Sequence, residues 1–346
     1  MLACPARPLE AESHGRYRNR VLGCFALIAG QGARAPSNNR AWDPTIDDDN
    51  LLDIVAPEIA RLELPGDDLF QRLKSQDVPL ILTGALKDWK AISKWNITYL
   101  VSVLGTTKVN VEVSPTNYFP TLCYEGSDNG GKRHGLSIKR RRSRQVPFNG
   151  FAETVLRPNN GPVKFYLKEK AFIEKFPELA ADIPLQSSLS ATKHFPTLLW
   201  ISSADITTPL HYDVVHSLFA QVSGRKRFTL FAPQDGSSLY PFPVFSRNSY
   251  LSRVDILQPD VEEFPKFRQA KPFEFVLEPG EVLYLPAFWW HRVQSLDVAL
   301  SISFYRHLST RQILKWQSLR ARPAALAYIL DNIAAQVGRG RSESGD

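Results

Sequence analysis

The stretch from Thr207 to Leu230 reads as extended chain and contains His211-Tyr212-Asp213. In a strand, residues i and i+2 point to one face. The His211 imidazole and the Asp213 carboxylate therefore converge, and Tyr212 turns away. Two donors do not make a metal site. A third, distant histidine would put two nitrogens and one oxygen on one face and leave coordination positions for substrate and dioxygen, the arrangement of non-haem Fe(II) oxygenases. His291 is the candidate. It ends the segment Pro279 to His291, in which a Pro-Gly turn opens an apolar strand that runs into an aromatic corner. His216 competes for the role, but it lies five residues after His211 with opposite strand parity and is left out.

Lys226 is an independent signal. Alternation in Arg225-Lys226-Arg227-Phe228-Thr229-Leu230 places Lys226 with Phe228 and Leu230, while Arg225 and Arg227 share the outer face with Thr229. An inward lysine needs an anionic partner, because an unpaired buried charge is costly. A dicarboxylate reaching from the metal to Lys226 would supply one.

The motifs TPLHYD, GRKRFTLFAP and LEPGEVLYLPAFWWHRV resemble those of the JmjC-type hydroxylases of the cupin superfamily, over roughly residues 60 to 310. LILTGALKDWKAISKW and HYDVVHSLFAQVSGRKRFTLFAP are most similar to the small hydroxylase branch, which holds the JmjC arginyl hydroxylase and the tRNA wybutosine hydroxylase. The resemblance implies a mainly β fold, a double-stranded β-helix or jelly roll, with flanking N-terminal helices and a C-terminal helical segment. It implies Fe(2+), 2-oxoglutarate and O2, with His211, Asp213 and His291 on the metal. It also implies Lys226 and Tyr166 on the distal carboxylate of 2-oxoglutarate, a contact from the Thr208 hydroxyl, and Ser303 near the metal-bound end. Ser217 stands where the family often has asparagine, and a serine hydrogen-bonds there with shorter reach. The implied activity is a hydroxylase that couples 2-oxoglutarate decarboxylation to C–H hydroxylation. Phe288, Trp289, Trp290 and Tyr212 read equally as pocket lining and as core packing.

The 346 residues are 43% hydrophobic and 22% charged, with a net charge of +7. This is ordinary for a globular chain able to bury a core. Cys4, Cys24 and Cys123 show no paired spacing, so neither a disulfide framework nor a zinc site is suggested. No apolar run approaches the length of a membrane span, which argues against a membrane partner. Arg16, Arg18 and Arg20 precede the apolar run Val21 to Gly30, the order of a cleaved targeting segment. Glu10 and Glu12 upstream argue against that, and a poorly ordered extension in a cytoplasmic or nuclear protein is the expectation.

Four regions follow: an extension at 1–50, an α/β flanking region at 51–196, the β core at 197–309, and C-terminal helices with a polar tail at 310–346. Apolar spacing suggests helices over Leu51–Leu62, after Asp67-Asp68, over Ile97–Leu104, over Phe151–Leu156, and over Glu169–Ala180 with a break at Pro177. Val78–Gly84, Val109–Val113 and Lys164–Leu167 read as strands. Residues 114–150, rich in Pro, Asn and Gly, read as a long exposed loop carrying the basic run 139–144. Arg140, Arg141 and Arg142 in that run are candidates for phosphate contacts, although a solvated loop or an import signal reads as well. No aromatic stacking pattern accompanies them. Residues 310–337 carry an apolar face, and in similar hydroxylases such helices pair two chains into a homodimer. The predicted substrate is macromolecular, a protein side chain or a modified tRNA base. A small metabolite, or a non-catalytic cupin-like binding module, is the alternative.

Overall fold

The structure, a computed structural model, describes residues 58–63, 73, 77–119, 122–125, 134–138, 142–157, 163–184, 197–243 and 248–308. The chain enters through β1 (Arg61–Glu63) and β2 (Leu80–Thr83), then α1 (Lys90–Lys94), α2 (Ile97–Leu104) and β3 (Lys108–Ser114). It continues through β4 (Leu122–Glu125), β5 (His134–Ile138), β6 (Arg142–Pro147), α3 (Phe148–Leu156), β7 (Lys164–Lys170), α4 (Phe172–Lys175) and α5 (Pro177–Ala180). Then come β8 (Leu198–Ser202), β9 (Thr207–Tyr212), β10 (Val215–Ser223), β11 (Lys226–Phe231), β12 (Phe273–Leu277), β13 (Val282–Leu285), β14 (Trp290–Ser295) and β15 (Ala299–His307).

From β8 onward the strands pair in nested order: β8 with β15, β9 with β14, β10 with β13, β11 with β12, all antiparallel. First meets last and β11 meets β12 in the middle, which is the winding of a jelly roll, the double-stranded β-helix. Half of these strands belong to a sheet ordered β1-β2-β13-β10-β15-β8-β7-β3-β6, the other half to a sheet ordered β12-β11-β14-β9. After β3 the chain crosses between the sheets. Phe119 N–H donates to Thr207 C=O at 2.7 Å, and Thr207 N–H to Asn117 C=O at 2.7 Å, so residues 117–119 extend the edge at β9.

Alternation divides the nine-stranded sheet into two unlike faces. Val111, Leu167, Leu199, Ile201, Leu218, Ala220, Ile302 and Phe304 are buried on one face, in one cluster with Leu100 and Leu104 of α2 and Phe148 and Phe151 of α3. Helix α2 presents that face because Asn96 caps it, accepting the Tyr99 N–H at 2.8 Å, and Ile97, Leu100 and Leu104 recur at helical spacing. The intervening strand positions, Glu112, Tyr166, Lys168, Trp200, Ser217, Phe219 and Ser303, point to the four-stranded sheet. Phe219 meets Phe228 of β11 there, with ring centroids 5.4 Å apart. The sheet thus packs one face against the helices, while its interior face carries polar and aromatic groups on these strands and the apolar Leu283 and Leu285 on β13.

Several expectations from the sequence need correction. Residues 114–150 are not a loop throughout: they hold β4, β5, β6 and the start of α3, and β6 pairs with β3 from Lys108↔Pro147 to Val113↔Arg142. Glu169 is not in a helix. It lies near the end of β7, with its carboxylate accepting the Asn110 backbone and side-chain N–H groups, both at 2.9 Å, and facing Lys175 Nζ at 2.9 Å. The helix begins at Phe172 and does break before Pro177. Arg61–Glu63 is a strand parallel to β2 rather than the end of a helix. Residues 1–50, the rest of 51–57, the helix expected after Asp67-Asp68 apart from Leu73, and residues 310–337 lie outside the described residues. None of the described helices is long and apolar enough to cross a membrane.

The turn between β10 and β11 delivers Lys226, and it needs a glycine. Gly224 has φ +67, and a Cβ there would lie 2.2 Å from the Val298 carbonyl oxygen. Gly224→Ala is therefore expected to destabilise the fold by more than about 1 kcal/mol. Gly150, exposed in α3, is the control: a Cβ added there would meet nothing within 4 Å. Alanine at that position stabilises by roughly 0.5–1 kcal/mol. Denaturant melts of the two variants check the opposite signs.

Candidate metal centre

The register of β9 and β14 sets His211 directly opposite His291, and Tyr212 opposite Trp290. The two imidazole centroids are 4.0 Å apart. Asp213 is the first residue past the end of β9, and its Oδ2 lies 3.9 Å from His291 Nε2. The candidate ligand atoms of His211, Asp213 and His291 all lie within 4.8 Å of one another.

Both rings are aimed by their own backbone. His211 Nδ1 lies 2.8 Å from the Pro209 carbonyl, and His291 Nδ1 3.0 Å from the Trp289 carbonyl. A carbonyl only accepts, so each Nδ1 carries the proton and each Nε2 presents a lone pair. Such outer hydrogen bonds fix tautomer and ring orientation at metal sites. Burial pushes the His211 pKa well below its ordinary value, with His291 alongside adding to the effect. Burial also lowers His291, partly offset by Asp213. Both rings are therefore neutral near pH 7, the form in which histidine ligates. Two imidazoles and one carboxylate could hold a divalent transition metal on three positions.

The turn before His291 is strained. Phe288 has φ +69, which costs of order 1–3 kcal/mol for a bulky residue. The turn is tied down in compensation: Phe288 N–H donates to Asp213 C=O at 2.7 Å, and Trp289 Nε1–H to Asp77 C=O at 2.9 Å. Phe288, Trp290 and Tyr212 pack together with Phe231 and Leu239, while Trp289 joins a cluster with Phe228 and Leu230. These aromatics take part in core packing.

Lys226, Tyr166 and Thr208, well separated in sequence, meet inside the jelly roll. Lys226 is 1% exposed, and its Nζ has no hydrogen-bond partner among the described residues. It sits over the rings of Phe219 at 5.1 Å and Tyr166 at 5.8 Å. Burial, with Lys168 nearby, pulls its pKa down to about 7. Tyr166 is buried, and its hydroxyl is hydrogen-bonded to the Thr208 side chain. Ser217 is buried on β10 opposite Tyr305 and Leu285. Ser303 accepts the Trp200 Nε1–H at 2.9 Å and is also hydrogen-bonded to Tyr305. Arg140 and Arg141 lie outside the described residues, and Arg142 starts the edge strand β6.

Four interior residues escaped the reading of the sequence: Glu112, Lys168, Trp200 and Tyr305. Lys168 Nζ lies 3.0 Å from Glu112 Oε2, and 5.2 Å and 5.1 Å from the rings of Tyr166 and Trp200. Tyr305 lies close enough to Asp213 for the carboxylate to raise its pKa, beyond what burial does. A signal for two of them was present: Lys168 stands two residues after Tyr166 and Tyr305 two after Ser303, so each shares a face with a residue already singled out.

The sequence is similar to known proteins. A family profile described as a cupin-like domain matches residues 67–310. The chain is 31% identical over 232 residues to lysine-specific demethylase 8 of Xenopus tropicalis, covering 66% of this chain and 47% of that protein. It is 30% identical over 254 residues to tRNA wybutosine-synthesizing protein 5 of Mus musculus, covering 69% and 74%. It is 25% identical over 253 residues to bifunctional peptidase and (3S)-lysyl hydroxylase JMJD7 of Homo sapiens, covering 66% and 76%. The chain belongs to the cupin-like, JmjC-domain family. It spans about half the length of some of the curated relatives it matches, the frog demethylase among them, and about three quarters of others.

Proposed function

We propose that the chain is an Fe(II)- and 2-oxoglutarate-dependent oxygenase that hydroxylates a C–H bond of a macromolecular substrate. The observation that carries this reading is Lys226: a buried ammonium without a hydrogen-bond partner among the described residues, inside the same jelly roll as a His-Asp-His cluster. A structural role accounts poorly for a charge left this way, since two ring faces offset only part of its desolvation. A dicarboxylate that also chelates a metal fits both features.

Bound iron, with 2-oxoglutarate and dioxygen, supplies the oxidising power that turns C–H into C–OH, and the co-substrate leaves as succinate and carbon dioxide. The rest falls to the protein. His211, Asp213 and His291 would hold the metal, their candidate ligand atoms lying within 4.8 Å of one another. Lys226 pairs with the distal carboxylate of the co-substrate, and the Tyr166 and Thr208 hydroxyls, already bonded to each other, hydrogen-bond beside it. Ser303 and Ser217 stand on the same interior face. The Phe219 and Tyr166 rings around Lys226 keep water from that end, which strengthens the ion pair.

For the substrate, relatives named for tRNA wybutosine synthesis and for lysyl hydroxylation support a macromolecule. The basic run at 139–144 favours tRNA, because clustered arginines neutralise phosphates. Two measurements test the proposal. Protein loaded with Fe(II) is expected to convert 2-oxoglutarate to succinate; a wild type that neither takes up metal nor turns over co-substrate would indicate a binding module. Titration with bulk tRNA at two salt concentrations is expected to give tight, salt-sensitive binding that weakens when Arg140, Arg141 and Arg142 are all changed to alanine. Equal binding by both proteins, or none by either, would put protein and small-metabolite substrates ahead.

A further inference from the structure

His216 is buried, yet strand parity turns it away from the triad, onto the helix-facing side of the nine-stranded sheet with Leu218. What its ring holds is informative. Nδ1 lies 3.3 Å from the Ala287 backbone nitrogen and 3.2 Å from the Tyr284 hydroxyl. A backbone N–H can only donate, so Nδ1 bears no proton, the ring is neutral, and the Tyr284 hydroxyl donates to the same nitrogen. Burial, with Arg306 opposite, brings the His216 pKa down to about 4, in keeping with a neutral ring.

Ala287 belongs to the turn that delivers His291. The next amide in that turn, Phe288 N–H, is held by the Asp213 carbonyl. Two successive amides of the turn are therefore gripped by acceptors within one short segment, 213–216, which begins with Asp213 itself and lies just past His211. Phe288 sits at positive φ, a conformation that persists only where the surroundings impose it. The His216 ring is one of the restraints that impose it, beside the Asp213 carbonyl and the Trp289–Asp77 hydrogen bond.

We propose that His216 is a positioning residue of the metal centre: by accepting the Ala287 N–H it fixes the turn and so presets the separation of His291 from His211 and Asp213. This rests on the metal-binding reading of the triad. The test is calorimetric titration of the metal-free full-length chain with Mn(II), beside its thermal melt. His216→Leu, which has no acceptor, is expected to bind Mn(II) about 10-fold to 100-fold more weakly than wild type, the range typical of lost outer-shell partners. His216→Asn, whose Oδ1 can stand in for Nδ1, should stay within about threefold of wild type, and so should Tyr284→Phe, which leaves the Ala287 hydrogen bond intact. Where His216→Leu fails to fold, His216→Ser replaces it, since a serine hydroxyl is too short to reach the amide. Unchanged Mn(II) affinity with only a lowered melting temperature would overturn the inference and leave a packing role. An equal loss in His216→Asn would overturn it too. A wild type that binds no Mn(II) would instead sink the reading of the site itself.

Discussion

Alanine in place of His211 or Asp213 is expected to remove both metal uptake and 2-oxoglutarate turnover. The three donors are already assembled within 4.8 Å, and each imidazole is aimed by a carbonyl of its own strand or turn. No other His, Cys, Asp or Glu among the described residues completes a cluster of this kind. Two remaining donors would leave the ion with mostly solvent ligands. Outer-shell partners alone are typically worth about 10-fold to 100-fold in metal affinity, so loss of a direct ligand should exceed 100-fold. Mn(II) titration reads the affinity and succinate formation reads the turnover. Retention of succinate formation in both variants would remove the triad from the mechanism. The fold should survive the Asp213 change: its side chain is 37% exposed, and its buried neighbour His291 keeps its own hydrogen bond to the Trp289 carbonyl.

Lys226→Met is expected to act in opposite directions on binding and on stability. Removing one partner of a buried ion pair costs about 3–5 kcal/mol, so the dissociation constant for 2-oxoglutarate should rise by roughly two to four powers of ten. Without co-substrate the same change takes away an unpaired buried ammonium and puts an apolar chain of similar length against Phe219 and Tyr166, which should raise the melting temperature. The pH dependence follows from the lowered pKa. Lys226 binds its proton with a pKa of about 7 in the fold but near 10.5 when unfolded. Between those values the unfolded chain holds the extra proton, so the contribution of Lys226 to stability improves as pH rises from about 7 to 10.5. Co-substrate affinity should run the other way and fall above pH 7, where the ammonium must first regain its proton. Both slopes should be absent in Lys226→Met. A variant that binds 2-oxoglutarate as well as wild type would show that the cation has another purpose.

The parts of the site that were legible in the sequence are those written in strand parity. His211 and Asp213 two apart, Lys226 in step with Phe228, and His291 after a Pro-Gly turn all depend on a period of two, which the chain keeps from β9 to β15. The nested pairing of β8 to β15 was legible only as a fold class, since short strands separated by turns do not say which pairs with which. β4 and β5 were missed because they are short and set among Pro, Gly and Asn, and β6 because its residues do not alternate. Arg142-Ser143-Arg144-Gln145-Val146-Pro147 offers almost no apolar side chain beyond Val146, and β6 is held by its hydrogen bonds to β3 rather than by a buried face. Glu169 was misread because a charged residue is seldom buried in a strand; here Asn110 and Lys175 compensate it. Trp200 was overlooked for want of any local pattern of its own, and only the register of β15 against β8 brings it near Ser303. Tyr305 shares a face with Ser303 in the sequence, but only the register of β15 against β10 sets it beside Ser217.

The two unlike faces of the nine-stranded sheet have a consequence for how this chain can change. What keeps β3, β7, β8, β10 and β15 folded hangs on Val111, Leu167, Leu199, Leu218 and Ile302, against the helices. The positions between them, Glu112, Lys168, Trp200, Ser217 and Ser303, face the interior, where the proposed ligand would lie. Stability and selectivity are thus inherited through alternate letters of the same strands. Mutation can rewrite every second residue to suit a new ligand while the intervening ones go on holding the scaffold, and a lineage built on this sheet can diverge in chemistry without first having to survive a loss of fold.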